Sequence, residues 1–221
     1  MSHGTNVKPR IIRGKPPKQN FTENTYKKAK PYLLRDFERR CAYSQQHTDR
    51  SLGERTMEVD HFNPKLTGAS RQKYENLFLA TRHCNGSKSN IWPSRKLRKS
   101  GIRFLNPCVE IDYGVHIFEH PMTHRVIGVT PAGKYHVISC DLNAEHLTVE
   151  RRERAVIWER IEQMPVTIND DINAFPLSAL KLLREQAEKM IPRIPYLSKD
   201  FPEYEEELRI VEALGTAMLS K

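Results

Sequence analysis

Residues 58–88 bring together polar side chains of defined chemistry. Asp60 and His61 are adjacent, and Asn85 and Lys88 follow at the far end of the segment. Carboxylate and amide oxygens are the ligands that Mg²⁺ and similar hard cations prefer. A histidine beside such an ion can take a proton from water near neutral pH, and a lysine can neutralise a phosphate. These residue types therefore predict the chemistry of a one-metal phosphodiesterase.

The same residues fall into three blocks in a fixed order. The blocks read Val59-Asp60-His61-Phe62-Asn63-Pro64, Asn76-Leu77-Phe78-Leu79 and Cys84-Asn85-Gly86-Ser87-Lys88. This succession resembles the ββα-metal motif of the HNH endonuclease family. In that motif a strand delivers Asp-His, a loop delivers Asn followed by Leu, and a short helix delivers a His or Asn and a Lys. This chain carries Asn85 where many members carry His.

The resemblance implies a role for each residue. Asp60 and Asn85 would hold one divalent cation, Mg²⁺ or Mn²⁺, while His61 acts as the general base and Asn76 holds His61 in place. The residues expected to contact the substrate phosphate are Lys88, Arg82 and His83. The competing interpretation is a network of turns and caps, which Asp and Asn also favour. That interpretation suits any one of these residues alone, whereas the ordered set favours a metal site.

Two cysteines mark a departure from the family pattern. Many HNH domains carry two Cys-x-x-Cys pairs that bind a structural zinc. In this chain the first pair reads Cys41-Ala42-Tyr43-Ser44 and the second reads Thr81-Arg82-His83-Cys84, so each lacks one thiol. His47 or His83 would have to complete a zinc site. The sequence instead favours Cys41 and Cys84 as small buried packing residues in a zinc-free remnant of the knuckle.

The overall composition is compatible with a nucleic-acid partner. The chain has 221 residues with a formal net charge of +9, which favours a polyanionic partner. Its four cysteines are widely spaced, as in a protein with reduced thiols. The N-terminal residues lack the apolar core typical of a signal peptide, and no stretch approaches the length of a membrane span. These features predict a cytoplasmic protein that does not enter a membrane.

Two basic segments flank the three blocks. Residues 1–20 are rich in lysine, arginine and proline, a composition that argues against a packed element. This segment is either an arm that lies on nucleic acid or a solvated tail. After the third block, a basic run extends to residue 103, and its position favours contact with phosphates over a merely solvated surface. Its members are Arg95, Lys96, Arg98, Lys99 and Arg103.

The sequence predicts an α+β fold in three parts. Residues 1–20 form the basic N-terminal arm. Residues 21–105 form the ββα-metal nuclease core with its N-terminal helix, which begins after a turn because of Pro31. Residues 106–221 form a β-hairpin region and a helical C-terminal extension that docks a partner or supports nucleic-acid binding.

Residues 106–221 carry several further predictions. Strands are expected at residues 116–118, 126–129 and 135–139. Helices are expected from an Asn143 N-cap to residue 163 or 164, then at residues 177–190 and 204–219. Four histidines in this region lack a tight ligand pattern and are expected at the surface or in the hairpin: His116, His120, His124 and His136.

Beyond the three blocks, the chain continues with Phe104-Leu105-Asn106-Pro107, the predicted hairpin, and Leu142-Asn143-Ala144-Glu145-His146-Leu147 followed by Arg151-Arg152. In this layout residues 8–160 resemble, more loosely than the blocks resemble the HNH motif, the HNH subunits of retron-associated and Septu-type antiphage systems. That resemblance implies a nuclease effector working beside an ATPase of the ABC or SMC-like kind. The alternatives are a catalytically silent nucleic-acid-binding module and an assembly subunit that docks on an ATPase. The substrate is DNA or RNA, and the sequence does not distinguish between them.

Overall fold

The computed structural model describes residues 9–164 and 176–219, with side chains described through residue 213. The fold is α+β, as the sequence predicts. The helices are α1 (Lys30–Asp36), α2 (Gly68–Arg71), α3 (Arg82–Lys88), α4 (Arg95–Lys99), α5 (Pro131–Ser139), α6 (Glu145–Glu162), α7 (Leu177–Met190) and α8 (Pro202–Leu219). The strands are β1 (Met57–His61), β2 (Leu77–Thr81), β3 (Ile117–Glu119) and β4 (Val126–Gly128).

The first hairpin lies where the three blocks predict two strands and a helix. Strands β1 and β2 pair antiparallel, with Asp60 opposite Phe78 and His61 opposite Leu77. Helix α3 follows β2 without a loop because the Thr81 hydroxyl accepts a hydrogen bond from the Cys84 backbone N–H and caps the helix. The order strand, strand, helix therefore places both ends of the candidate site side by side.

The second hairpin differs from its prediction in one element. Strands β3 and β4 pair antiparallel as expected, but the predicted strand at residues 135–139 is wrong, since those residues belong to α5. Thr130 caps this helix by accepting from the Gly133 N–H, and Pro131 occupies its first turn. This cap and proline are a helix-start signal that outweighs the β-branched residues further along.

The C-terminal helices follow the predicted spacing closely, except at one cap. Helix α6 begins at Glu145 after Ala144 rather than after an Asn143 cap. The Asn143 side chain instead accepts from the Val126 N–H at 2.8 Å and donates to the Val126 carbonyl at 2.9 Å. The prediction of Asn143 as N-cap is therefore wrong, because its side-chain amide forms hydrogen bonds with the backbone of Val126 in β4.

The N-terminal segment is more tightly packed than its composition suggests. Residues 9–20 contain no helix or strand, yet Ile11 is buried. Arg10 pairs with the buried Asp112 at 2.5 Å, and the Arg13 guanidinium lies 4.8 Å from the Phe78 ring centroid. The expectation that the whole basic arm stays unpacked is wrong for these residues. Its first eight residues lie outside the described part.

One hydrophobic core joins the two hairpins. A single cluster of buried side chains extends from Ile11 through Phe78 and Leu105 to Leu147 and Ile194. A smaller cluster around Trp158 lies between α6 and α7. Among the described residues, no helix is long and apolar enough to cross a membrane.

Two of the four histidines predicted at the surface or in the hairpin are fully buried. His120 and His136 have no exposed surface. His120 accepts hydrogen bonds from the Met122 and Thr123 N–H groups, and His136 Nδ1 accepts one from the Leu105 N–H at 3.0 Å. The prediction is therefore wrong for His136, which lies in α5, whereas His120 lies in the hairpin between β3 and β4 as expected but is packed rather than exposed. Each ring serves as a packed hydrogen-bond acceptor.

A glycine in α5 provides a test of this packing. A Cβ at Gly133 would lie 2.1 Å from the His116 carbonyl oxygen, whereas a Cβ at Gly86 in α3 would meet nothing within 4 Å. We expect Gly133→Ala to destabilise the protein by about 1–3 kcal/mol or more through overpacking. Gly86→Ala should be neutral or slightly stabilising. Urea unfolding of both variants measures the difference, and equal stabilities would contradict the close approach of α5 to the His116 carbonyl.

Buried His136 predicts a loss of stability in acid. Burial lowers the pKa of His136 from 6.5 to about 4. As the pH falls, the unfolded chain therefore binds a proton at this histidine before the folded protein does. The contribution of neutral His136 to the free energy of unfolding is fully present above pH 6.5 and is lost as the pH falls to about 4. The expected contribution is on the order of 3 kcal/mol, at about 1.4 kcal/mol for each pKa unit. His136→Gln retains an acceptor for Leu105 without titrating, and urea unfolding across this range should show a flatter acid slope. An unchanged slope would refute this assignment.

Candidate active site

A polar cleft of about 290 Å³ lies where the end of β1 meets α3. It contains three of the residues that the sequence analysis assigned to catalysis and metal binding, namely Asp60, His61 and Asn85. The remaining lining residues are Tyr26, Val59, Pro64, Arg71, Gly86, Ser89 and Asn90. The structure therefore brings together residues that come from separate blocks of the sequence.

Adjacent residues reach this cleft because they lie at the end of a strand. Successive side chains of β1 alternate between its faces. Glu58 and Asp60 contact residues of α3, whereas the His61 ring lies against Tyr26 and Gln72. Because β1 ends at His61, the side chains on both of its faces reach the same cleft at this point. Adjacent Asp60 and His61 can therefore contact one substrate.

Asp60 is held by two buried partners. Its carboxylate accepts a hydrogen bond from the Tyr43 hydroxyl. Lys88 Nζ lies 3.1 Å from Asp60 Oδ1 and 3.0 Å from Oδ2. Burial and the Asp60 charge raise the pKa of Tyr43 well above its usual value, so its hydroxyl remains a donor. Because a carboxylate has about four acceptor positions, these contacts leave Oδ1 with capacity for a further ligand.

Lys88 lies inside the protein rather than in the cleft. Its side chain has no exposed surface, and Nζ also donates to the His61 carbonyl at 2.9 Å. This position differs from the expected phosphate contact, since an ammonium with no exposed surface cannot reach a substrate without moving. Lys88 instead fixes both the carboxylate of Asp60 and the backbone of His61.

Asn85 has a side-chain oxygen that is available as a ligand for a hard cation. Its Nδ2 donates to Glu58 Oε2 at 2.7 Å, which leaves Oδ1 without a partner among the described residues. Oxygen atoms of Asp60 and Asn85 in one cleft fit a Mg²⁺ or Mn²⁺ ion that keeps several of its waters. Within the described residues, no group of three or more His, Cys, Asp or Glu side chains forms a metal site.

Asn76 clamps the loop that follows His61. Its Oδ1 accepts from the Asn63 N–H at 2.9 Å, and its Nδ2 donates to the carbonyls of Asn63 and Arg71 at 3.3 and 2.9 Å. The Asn76 carbonyl also accepts from the Phe62 N–H at 2.8 Å. These contacts agree with a residue that holds His61 in place through the neighbouring backbone.

Several site residues were not identified from the sequence. The Tyr26 ring lies 4.6 Å from the His61 ring between centroids, and Gln72 Oε1 lies 3.0 Å from His61 Nε2. Arg71 lines the cleft, and its buried Nε has no partner among the described residues. Nothing in the spacing of the three blocks marks these residues, because they lie in segments whose path depends on the tertiary fold.

Two expected substrate contacts lie elsewhere. Arg82 and His83 line a separate, larger cleft of about 820 Å³ beside α6. Arg82 Nε donates to Glu58 at 3.1 Å, and His83 Nε2 lies 3.2 Å from Asp141 Oδ2. The structure therefore does not place these side chains in the cleft with Asp60 and His61.

The cysteine pair forms a closed, buried knuckle. Cys41 and Cys84 have no exposed surface. Cys41 Sγ accepts from the Ser44 N–H at 3.5 Å and from the Thr81 hydroxyl at 3.7 Å. A hydrogen bond with Cys41 and burial together raise the pKa of the Cys84 thiol. Ser44 and Thr81, at the positions of the missing thiols, thus join the knuckle by hydrogen bonding.

The buried position of Lys88 predicts a stability effect. Lys88→Met would leave the Asp60 carboxylate buried without its cation, a loss that typically costs about 3–5 kcal/mol. Lys99→Met, at an exposed position in α4, provides the matched control and should change stability by no more than about 0.5 kcal/mol. Urea unfolding of both variants measures the two effects. Similar small losses in both would contradict a structural ion pair at Asp60.

Comparisons with protein-family models, with curated proteins and with solved structures find no match to this chain.

Proposed function

We propose that this protein is a metal-dependent endonuclease of the HNH type that hydrolyses phosphodiester bonds in nucleic acid. The observation that carries the proposal is the convergence of Asp60, His61 and Asn85 on one cleft. The clamp by Asn76 and the net charge of +9 add support. Each of these features suits the cleavage of a polyanion.

His61 acts as the general base in this mechanism. It removes a proton from a water molecule as the water oxygen attacks phosphorus, and the bond from phosphorus to the 3′ oxygen breaks. The Asn76 clamp and the Lys88 contact to the His61 carbonyl hold the ring in position. Such orientation matters because small displacements of a base cost much of the rate.

Asp60 and Asn85 provide the oxygen ligands for one Mg²⁺ or Mn²⁺ ion. When bound, the ion offsets charge that develops on the phosphate and on the leaving oxygen. Lys88 and Tyr43 keep the Asp60 carboxylate oriented. Arg71 takes the role of phosphate contact in place of the buried Lys88, since its guanidinium lines the same cleft.

The cellular role is a further part of the proposal. The looser resemblance to retron-associated and Septu-type subunits supports a cytoplasmic effector of antiphage defence that works with an ABC or SMC-like ATPase. The alternative is a silent nucleic-acid-binding or assembly subunit. A nuclease that is active only in complex with the ATPase would be both an effector and an assembly subunit, and its cleavage would appear only in the presence of that partner.

Cleavage assays test the proposed chemistry. Purified protein is incubated with plasmid DNA or total RNA in Mg²⁺, Mn²⁺ or EDTA. We expect metal-dependent cleavage of one substrate, and a loss of about 10²–10⁴-fold in His61→Ala because a general base is typically worth that much. His146→Ala, which changes an exposed histidine outside this cleft, should cut at the wild-type rate.

Binding of the same nucleic acids by fluorescence anisotropy accompanies the assay. His61→Ala should bind nearly as well as the wild type, because the change removes a base and no charge contact. Cleavage at the wild-type rate by His61→Ala would refute the mechanism. Tight binding without cleavage by the wild type would instead favour the non-catalytic or partner-licensed alternatives.

A further inference from the structure

A chain of hydrogen bonds connects His61 to an acidic residue near the N-terminus. His61 Nε2 lies 3.0 Å from Gln72 Oε1, and Gln72 Nε2 donates to Glu23 Oε2 at 2.5 Å. Neither Gln72 nor Glu23 belongs to the three sequence blocks. The chain therefore links the proposed base to two residues with no role assigned so far.

The chemistry of Glu23 decides the direction of these hydrogen bonds. An ionised carboxylate only accepts hydrogen bonds, so the amide nitrogen of Gln72 must point towards Glu23. The amide oxygen of Gln72 then points towards His61 and can only accept. His61 Nε2 must therefore carry a hydrogen, and the neutral ring keeps its lone pair on Nδ1.

The other contacts hold this arrangement in place. Arg71 Nη1 lies 3.3 Å from both carboxylate oxygens of Glu23 and fixes the acid beside the cleft. Gln72 is buried, and the Tyr26 ring packs on His61. No described residue forms a hydrogen bond with His61 Nδ1, so this nitrogen remains available to a water molecule in the cleft.

We propose that Glu23 and Gln72 are positioning residues that fix the tautomer of His61, with the hydrogen on Nε2 and the basic lone pair on Nδ1. This inference deepens the proposed nuclease function and depends on it for its catalytic consequence. The tautomer itself is a property of the folded protein and can be measured without any cleavage.

Charge reversal at Glu23 provides the sharpest test. In Glu23→Lys the new ammonium donates to the Gln72 oxygen, so the amide turns and presents its nitrogen to His61 Nε2. The neutral ring must then carry its hydrogen on Nδ1. Glu23→Gln keeps an acceptor oxygen and should retain the wild-type tautomer. Glu54→Lys reverses the charge of another exposed acid and is the matched control.

Nitrogen-15 NMR of the histidine rings reads the tautomer directly. Spectra are recorded at about pH 9, so that the two neutral tautomers of the ring are compared. The signals of His61 are assigned by their absence in His61→Ala. We expect the Nε2–H form in the wild type, in Glu23→Gln and in Glu54→Lys, and the Nδ1–H form in Glu23→Lys.

Cleavage rates provide the second readout. Glu23→Lys should lower kcat by about 10²–10⁴-fold, because the variant presents the wrong nitrogen to the attacking water. We expect its KM to change as well, since Glu23 pairs with Arg71, the proposed phosphate contact. Glu23→Gln and Glu54→Lys should remain close to the wild-type kcat. Far-ultraviolet circular dichroism of all variants establishes that each one is folded.

The two readouts separate the two claims. An Nδ1–H tautomer in the wild type, or the same tautomer in the wild type and Glu23→Lys, would overturn the positioning role even if the protein cleaves nucleic acid. The expected tautomers without any cleavage by the wild type would leave the positioning geometry intact and refute a nuclease that acts without a partner.

Discussion

The buried ion pair between Lys88 and Asp60 is the interaction on which the candidate site depends. It joins the last turn of α3 to the end of β1, and the same ammonium also binds the His61 carbonyl. A charged pair that is almost entirely buried is costly unless its hydrogen bonds are fully formed. The Tyr43 hydroxyl adds a further hydrogen bond to the Asp60 carboxylate. This pair therefore sets the relative positions of the strand and the helix, and with them the distance between the proposed ligands and the proposed base.

The second half of the chain supports this ion pair from outside the three blocks. The Tyr113 hydroxyl donates to the Tyr43 carbonyl at 2.9 Å, and the Tyr43 and His136 rings lie 5.5 Å apart between centroids. His136 can pack there because it belongs to α5, which closely approaches the His116 carbonyl and Gly128 of β4 at Gly133. The shared hydrophobic core makes residues beyond 105 part of the environment of the cleft.

The two faces of β1 contact different groups of residues at the candidate site. The face that carries Glu58 and Asp60 contacts α3, where Asn85 donates to Glu58 and Lys88 pairs with Asp60, so both proposed metal ligands are held on this side. The His61 side meets residues from the N-terminal segment and from the loop between the strands, namely Tyr26, Gln72 and, through Gln72, Glu23. A metal site and a base with its own orienting residues can thus occupy adjacent positions without competing for the same hydrogen bonds.

The sequence by itself predicted the α+β class, both hairpins, the position of α3 and the convergence of Asp60, His61 and Asn85. The class and the second hairpin follow from local patterns, namely hydrophobic spacing and turn residues, whereas the first hairpin, α3 and the convergence of the three residues were expected from the resemblance of the ordered blocks to the HNH motif. The sequence did not predict α5, the burial of Lys88, or the contacts of Glu23, Gln72 and Arg71 at the cleft. Only the tertiary structure decides those, because the direction of a long side chain and the burial of a charge depend on elements far apart in the chain. A lysine next to a metal-binding motif looks the same in sequence whether it faces a phosphate or a buried carboxylate.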